Sequence, residues 1–277
     1  MFHEFLAPDS VSEAVSLRRS LSSAMYLAGG TEINSTIWPC RPVEQARTAI
    51  SLAKLPLVGL EVGPAVIRIG SLVTIQALVD RPDLPPVLAA AVRLFANRNV
   101  RTMGTLGGNI GGNRSCSNIG PALLALGTRI VVADGSGEKS LPLEAYLENQ
   151  DKTALIVAFE IPAGWEKRRW AVRKHSRTAN DVSILSVAVS FSKDGGRLVD
   201  PVVAVNGATP RATRLTTVEK RLAGASLPAP AEIEPLVRAA VCPVTDIRGS
   251  ESFKRHLAGV LVCDALREAA QRGEAGR

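Results

Sequence analysis

Nine residues, Gly104 to Gly112, carry five glycines in the order GTLGGNIGG, and no other stretch limits the fold as tightly. Glycines at this density give the backbone access to positive φ and let bare N–H groups approach one ligand. The run follows an apolar stretch, Leu84 to Asn97, that reads as a helix, and a short basic connector, Arg98-Asn99-Val100-Arg101. A second helix start comes at Ser117-Asn118-Ile119-Gly120-Pro121. Earlier in the chain, Ala28-Gly29-Gly30-Thr31-Glu32-Ile33-Asn34 repeats the same chemistry. A diphosphate needs many donors at close range, so two such loops point to a dinucleotide rather than a lone phosphate. The competing explanation is a crowded turn in which glycine serves packing alone.

Several chemistries are excluded. The glycines run G-x-x-G-G-x-x-G-G after a helix, not G-x-G-x-x-G after a strand, which argues against a Rossmann turn. Neither segment closes on Lys-Ser or Lys-Thr, so a P-loop fails as well. His3, His175 and His256 stand apart, and Cys40, Cys116, Cys242 and Cys263 form no C-x-x-C pair. Neither a zinc nor an iron–sulfur pattern results, and no metal site is expected. Without a G-x-S-x-G, no nucleophilic triad is supported, and no catalytic acid, base or nucleophile stands out.

Hydrophobic residues at 46 % are enough for a real core, while aromatics at 4 % argue against a single-strand nucleic-acid binder. The net charge of +7 is partly local, in Lys167, Arg168, Arg169, Arg173, Lys174 and Arg177. Such a run, alternating with apolar residues, reads first as a solvated strand face and second as an anion site or docking surface. No apolar run reaches the ~18 residues of a membrane span, and no signal peptide precedes Phe2-His3-Glu4-Phe5. The expectation is a soluble, cytoplasmic, thiol-reduced protein.

Ser10-Val11-Ser12-Glu13 is a capping box for a helix to about Leu21. Strands are expected at Met25–Leu27, Thr48–Leu52, Ala65–Gly70, Arg129–Ala133 and Ala154–Ile161, and helices after Thr74 and Pro86. Composition shifts at Pro162 to Arg169, taken as the domain boundary. Beyond it, Trp170–Arg177, Ser183–Phe191 and Arg197–Val205 read as consecutive strands, with Lys193-Asp194-Gly195-Gly196 as a hairpin turn. Thr216-Thr217-Val218-Glu219 reads as a second capping box, and helices follow at Ile233–Ala240 and Phe253–Ala270. Strands then helices in one block imply a separate α+β domain.

These segments resemble the FAD-binding subunit of molybdenum hydroxylases, the xanthine dehydrogenase and carbon monoxide dehydrogenase group. Ala28-Gly29-Gly30-Thr31-Glu32-Ile33 is similar to that family's A-G-G-T-x-L loop, and Arg101 to Ile110 to its T-(I/L)-G-G-N loop. Asp246-Ile247-Arg248-Gly249-Ser250, followed by Lys254 to Leu261, resembles its closing signature. The resemblance runs from about Phe5 to Ala270.

It implies an α+β fold: a two-lobed FAD-binding domain of the PCMH type over 1–165, with lobes at about 1–53 and 54–165. A C-terminal domain with a three-stranded antiparallel sheet and helices would occupy 166–277. It also implies roles. Leu27, Ala28, Gly29, Gly30, Thr31, Glu32, Ile33 and Asn34 would wrap the diphosphate of FAD. Thr105, Leu106, Gly107, Gly108 and Asn109 would complete the cradle with backbone N–H groups and the Thr105 hydroxyl. Phe95 and Ile156 match positions beside the cofactor, and Lys174 falls where the family places a lysine near the flavin, whose reduced form a cation stabilises. The family often has Ser-Asp where this chain has Ser117-Asn118. A carboxylate accepts two ribose or adenine hydrogen bonds where an amide accepts through one oxygen, so Asn118→Asp is expected to tighten FAD binding.

The implied function is electron transfer: a molybdopterin-binding large subunit hydroxylates substrate, a small subunit with 2Fe-2S clusters relays electrons, and FAD on this chain delivers them to NAD. Two other readings stand beside it. One is a stand-alone FAD oxidoreductase of the same fold; the other is a scaffold subunit without FAD.

Overall fold

Ser10, Thr74 and Ser250 each accept a hydrogen bond at 3.1 Å from the backbone N–H three residues on, and each opens a helix. The computed structural model describes residues 2–35 and 48–272, so Cys40 lies outside the described residues. The first part runs β1 (Glu4–Leu6), α1 (Val11–Ser20), β2 (Ala24–Leu27), α2 (Thr31–Ser35), β3 (Thr48–Ser51), β4 (Leu60–Val62), β5 (Val66–Gly70) and α3 (Ile75–Val79). Then come α4 (Pro86–Arg93), α5 (Arg98–Met103), α6 (Leu106–Gly112), α7 (Ile119–Ala125), β6 (Arg129–Asp134), β7 (Gly137–Pro142), α8 (Leu143–Glu148) and β8 (Leu155–Pro162). The last part is β9 (Arg169–His175), β10 (Leu185–Asp194), β11 (Arg197–Asn206), β12 (Thr213–Arg214), α9 (Thr216–Leu222), α10 (Pro230–Ala240) and α11 (Glu251–Gln271). No described helix is long and apolar enough to cross a membrane.

Two units form. The first takes the described residues of Met1–Asp80, with Asn97–Gly112 and Arg129–Ile161. It holds a parallel sheet ordered β1-β3-β2 and a five-stranded sheet ordered β4-β5-β8-β6-β7. Ala14 and Val15 of α1 pack into one cluster with Ala24, Ile50, Leu52, Val131, Ala133 and Leu155. Each fully buried Val, Leu or Ile side chain contributes about 1.5–3 kcal/mol.

The second unit takes Arg81–Ala96, Asn113–Thr128 and the described residues of Pro162–Arg277. Its antiparallel sheet is ordered β12-β11-β10-β9: the three long strands expected, plus the two-residue β12. Alternation along β10 divides the two faces. Leu185, Val187 and Val189 join Val203, Val205 and residues of α9, α10 and α11 in a large apolar core. On the opposite face, Ser186, Ala188 and Ser190 stand across from Asn206, Ala204 and Val202. That face is small and partly polar, and α7, every residue of which is buried, lies on it. Gly120 is what permits the approach there, since a Cβ would sit 2.8 Å from Ala212 Cβ.

The basic run is engaged within its own unit. Arg168 donates to the Ser190 and Asp200 carbonyls beside the register shift in β10. Arg169 reaches the carbonyls of Ala270 and Arg272 at the end of α11, Arg173 pairs with Glu268, and Arg177 pairs with Asp181. Most of this charge ties β9 to its surroundings, which leaves little of it for the docking role.

Two further expectations are corrected. Arg98–Arg101 is not a connector but the start of α5, capped by Asn97, which accepts from Val100 N–H at 3.0 Å. Thr216 does not cap α9. Leu215 takes that position, because Glu219 is drawn instead to Arg214 and to the Val203 N–H. The closing signature has a structural use: Lys254, 2 % exposed, holds Asp246 at 2.7 Å and the Val244 carbonyl at 2.9 Å. Burial raises the Asp246 pKa, but Lys254 and the Arg248 N–H outweigh it and hold the carboxyl below its usual range.

Candidate cofactor site

The first glycine segment leaves the end of β2, where the Leu27 carbonyl accepts from Leu52 N–H. Gly30 then adopts φ 67, the left-handed region that an L side chain resists, and Thr31 to Asn34 enter α2. Gly29 is required for a different reason. A Cβ there would lie 1.7 Å from the Met103 carbonyl oxygen, so the segment rests directly on the end of α5. Leu27 through Ile33 are half-buried. Among the described residues no acceptor takes the Gly29 or Gly30 N–H, two adjacent donors on one turn. Such a pair suits an anion.

The second segment is not the loop expected. Leu106–Gly112 is helix α6, and none of its glycines has positive φ. Leu106 N–H donates to Val73 O at 3.0 Å, Gly107 N–H to Ser71 O at 2.8 Å, and Gly108 N–H to Thr105 Oγ1 at 3.0 Å. Asn109 N–H goes to Thr105 O. These donors are therefore engaged within the unit, and the picture of a second cradle of free N–H groups is corrected. Gly107 is a packing glycine: a Cβ would meet Ser71 Cβ at 2.6 Å. The expected contribution of glycine changes accordingly. Gly108, Gly111 and Gly112 share the exposed side of α6, where their lack of side chains bares the backbone to an approaching ligand. Gly108 has only the Thr105 hydroxyl within reach of a Cβ, at 2.9 Å, and Gly111 has Ile156 Cδ1 at 3.4 Å. Both glycine segments, Thr105 and Ile156 thus belong to one unit and lie close together.

Phe95, Asn118 and Lys174 gather elsewhere, in the second unit around the end of α4. Phe95 follows that helix, half-buried, with its N–H on Val92 O. Lys174 Nζ donates to Leu94 O at 2.9 Å and Ala179 O at 3.1 Å, both neutral acceptors. Burial lowers its pKa and Asp181 opposes the shift. Asn118 is 3 % exposed, and its Nδ2 donates to Ala91 O at 2.6 Å. Its amide therefore faces α4 as a donor, whereas the sequence suggested an acceptor for the cofactor. Ser71 and Met103, against which the glycines close, carry no motif of their own and were not singled out from sequence, and Gly111 stood in the glycine run without a role of its own.

Residues 1–164 match the family model described as FAD binding domain in molybdopterin dehydrogenase, and residues 170–269 match that described as CO dehydrogenase flavoprotein C-terminal domain. The chain is 33 % identical over 277 residues to the protein YgfM of Escherichia coli K12, with 99 % of each chain covered. It is 29 % identical over 282 residues to the carbon monoxide dehydrogenase medium chain of Hydrogenophaga pseudoflava, covering 96 % of each. Among solved structures, carbon monoxide dehydrogenase from Hydrogenophaga pseudoflava superposes with a TM-score of 0.91 at 27 % identity, over 98 % of both chains. Quinoline 2-oxidoreductase from Pseudomonas putida 86 has a TM-score of 0.85 at 21 % identity, covering 98 % of this chain and 97 % of that one, a likeness of fold. The Gly29 and Gly30 donors, which no acceptor takes among the described residues, the left-handed turn and the bare side of α6 fit a dinucleotide. The chain belongs to the flavoprotein family of the molybdopterin dehydrogenases, an FAD-binding domain followed by a carbon monoxide dehydrogenase-type C-terminal domain, and its cofactor is FAD.

Proposed function

We propose that this chain is the electron-transferring medium subunit of a cytoplasmic molybdenum hydroxylase complex. Electrons would come from 2Fe-2S clusters on a small subunit, supplied in turn by a molybdopterin-binding large subunit, and leave to NAD. The observation that carries this reading is the match along nearly the whole chain to a medium chain of carbon monoxide dehydrogenase. It is supported by a nicotine 6-hydroxylase medium subunit of Paenarthrobacter nicotinovorans, 27 % identical over 278 residues with 97 % of each chain covered. The domain division near residue 165 is part of the same reading.

When bound, FAD supplies the exchange between one-electron and two-electron transfer. The chain's own residues do the rest. Gly29 and Gly30 N–H groups would hold the diphosphate, on the left-handed turn at Gly30. Gly108, Gly111 and Gly112 would admit the cofactor to the α6 backbone, beside Ile156. Lys174, whose ammonium donates to the Leu94 and Ala179 carbonyls, would supply a positive charge that favours added negative charge.

Gly108→Val should leave the chain folded, since the added Cβ would meet only the Thr105 hydroxyl, at 2.9 Å. It should weaken FAD binding at least about tenfold, a loss of about 1.4 kcal/mol, by placing methyl groups on the bare side of α6. Flavin-fluorescence titration of the apo chain measures this, and unchanged affinity would move the cofactor off α6.

The partnership has its own test. The purified chain carrying FAD is expected to reduce an artificial dye with NADH while oxidising no purine, aldehyde or heteroaromatic substrate. Substrate oxidation by the isolated chain would favour the stand-alone oxidoreductase. Inactivity with NADH but activity with another reductant would replace NAD as the acceptor.

A further inference from the structure

A pocket of about 510 Å³ opens in the second unit, and every residue lining it belongs to that unit. Such a volume takes a small organic molecule. Leu126, Pro162, Trp165, Pro201 and Val202 make much of the wall apolar. Gly164, at φ 100, donates to Glu166 at 2.8 Å and sets the single turn Trp165–Lys167 that carries the indole.

The charged lining is Arg168, Arg214 and Lys220 against Asp200 and Glu219. Arg214 is committed to Glu219, with Nε and Nη2 on its two carboxylate oxygens at 3.1 and 2.7 Å. Arg168 differs. One edge of its guanidinium is bonded: Nε to Ser190 Oγ and Nη2 to Ser190 O, both at 3.2 Å, and Nη2 also to Asp200 O. Its Nη1 donates to no group, and it forms no ion pair, among the described residues.

A half-buried guanidinium without a carboxylate is unfavourable, and a second cation nearby makes it more so. Burial lowers the Arg168 pKa; Asp200 opposes the shift and Arg214 adds to it. The backbone is bent to hold this group. Ser190 pairs with Val202 and Ser192 with Val199, so Asp200 and Pro201 stand against Phe191 alone. Asp200 takes φ 46 there, which a side chain resists, and its carbonyl meets Arg168. Backbone strain of this kind gathers at ligand sites. A structural staple needs only the bonded edge of the guanidinium, and the Nη1 edge is left over in the pocket wall. Three cations against two carboxylates suit a monoanion better than a phosphate dianion, which Asp200 would repel.

We propose that this pocket binds a small organic monocarboxylate, its carboxylate on Arg168 Nη1 and its apolar or aromatic body against Trp165, Leu126 and Pro201. None of these residues belongs to the glycine segments, so the pocket stands or falls independently of the FAD site.

Calorimetric titration of the full-length chain with phenylacetate tests this, with 2-phenylethanol as the uncharged counterpart and inorganic phosphate as the bare anion. Phenylacetate is expected to saturate one site with a dissociation constant of about 1 mM or tighter, at least about tenfold below that of either comparison ligand. Arg168→Gln should bring phenylacetate to the affinity of 2-phenylethanol, whereas a loss of folded protein would lower both together. Trp165→Ala should weaken phenylacetate and 2-phenylethanol alike, about fivefold. Arg221→Gln removes an exposed cation paired with Glu232 outside the pocket wall, and should change phenylacetate affinity by less than about twofold. If Arg168→Gln does not fold, Trp165→Ala against Arg221→Gln decides. No saturable phenylacetate binding by the folded chain, binding that Arg168→Gln and Trp165→Ala leave unchanged, or phosphate binding as tight as phenylacetate would overturn the assignment.

Discussion

Gly29→Ala is expected to separate the two glycine segments and abolish FAD binding. The added Cβ would lie 1.7 Å from the Met103 carbonyl oxygen and 2.5 Å from its carbon, both backbone atoms at the end of α5. No rotamer change relieves a clash between two backbones, so one segment must move. Overpacking of this severity costs about 3 kcal/mol. In a protein of this size that corresponds to a fall of roughly 6–12 °C in the melting temperature. Gly30→Ala makes an informative partner, since its cost comes from φ 67 and is only about 1 kcal/mol. Thermal unfolding and flavin titration of both variants check the order. A Gly29→Ala chain with native stability and native FAD affinity would show that the segments do not meet as described.

Asn118→Asp is expected to destabilise the chain by about 3 kcal/mol at neutral pH, opposite to the tighter FAD binding that the family's acidic residue suggested. The Asn118 amide donates to Ala91 O from a position 3 % exposed. A carboxylate cannot donate, and its charge would face a carbonyl oxygen in a buried place. The sign with pH follows from this. Burial and the facing carbonyl raise the folded-state pKa of the introduced carboxyl above its unfolded value of about 3.9. Stability is then retained at low pH, where the protonated carboxyl donates to Ala91 O, and is lost as pH rises through the raised value. Urea unfolding at acidic and neutral pH, with Asn118 as reference at each, measures the difference. Equal stability at both pH values together with tighter FAD binding would place the side chain against the cofactor after all.

Much of the architecture was legible because local chemistry and tertiary structure agree. Lys193-Asp194-Gly195-Gly196 offers two glycines to a tight turn, and the structure uses both at positive φ between β10 and β11. Ser10 and Thr74 cap the helices they announce. The second glycine segment was misread because glycine is about 1 kcal/mol worse than alanine in a helix, so five glycines in nine residues argue for a loop. Tertiary bonds override that preference: Val73 and Ser71 carbonyls take the first N–H groups, and Thr74 bridges Thr105. Strand β4 was missed because three residues at a sheet edge carry almost no periodicity. Asn206 was not singled out, because only the fold reveals that its amide reaches Arg114 and Ser117.

The sequence singles out the two glycine segments but not how each uses its glycines. Gly30 serves as the left-handed residue the sequence called for, whereas Gly29 and Gly107 are glycines because backbone and Ser71 stand too close for a side chain. Packing and ligand approach are both satisfied by the same run, and spacing alone does not separate them. Lys174 and Phe95 carried signals only through family resemblance, and the structure adds that both sit at the end of α4.

The central claim is that the chain holds FAD without a covalent link, through the paired glycine segments of its first unit. Purification of the chain with whatever co-elutes, followed by acid precipitation and chromatographic identification of the released flavin, tests it most directly. The account predicts one FAD per chain, all of it in the acid supernatant. Flavin that pellets with the protein, flavin identified as FMN, or none at all would contradict it.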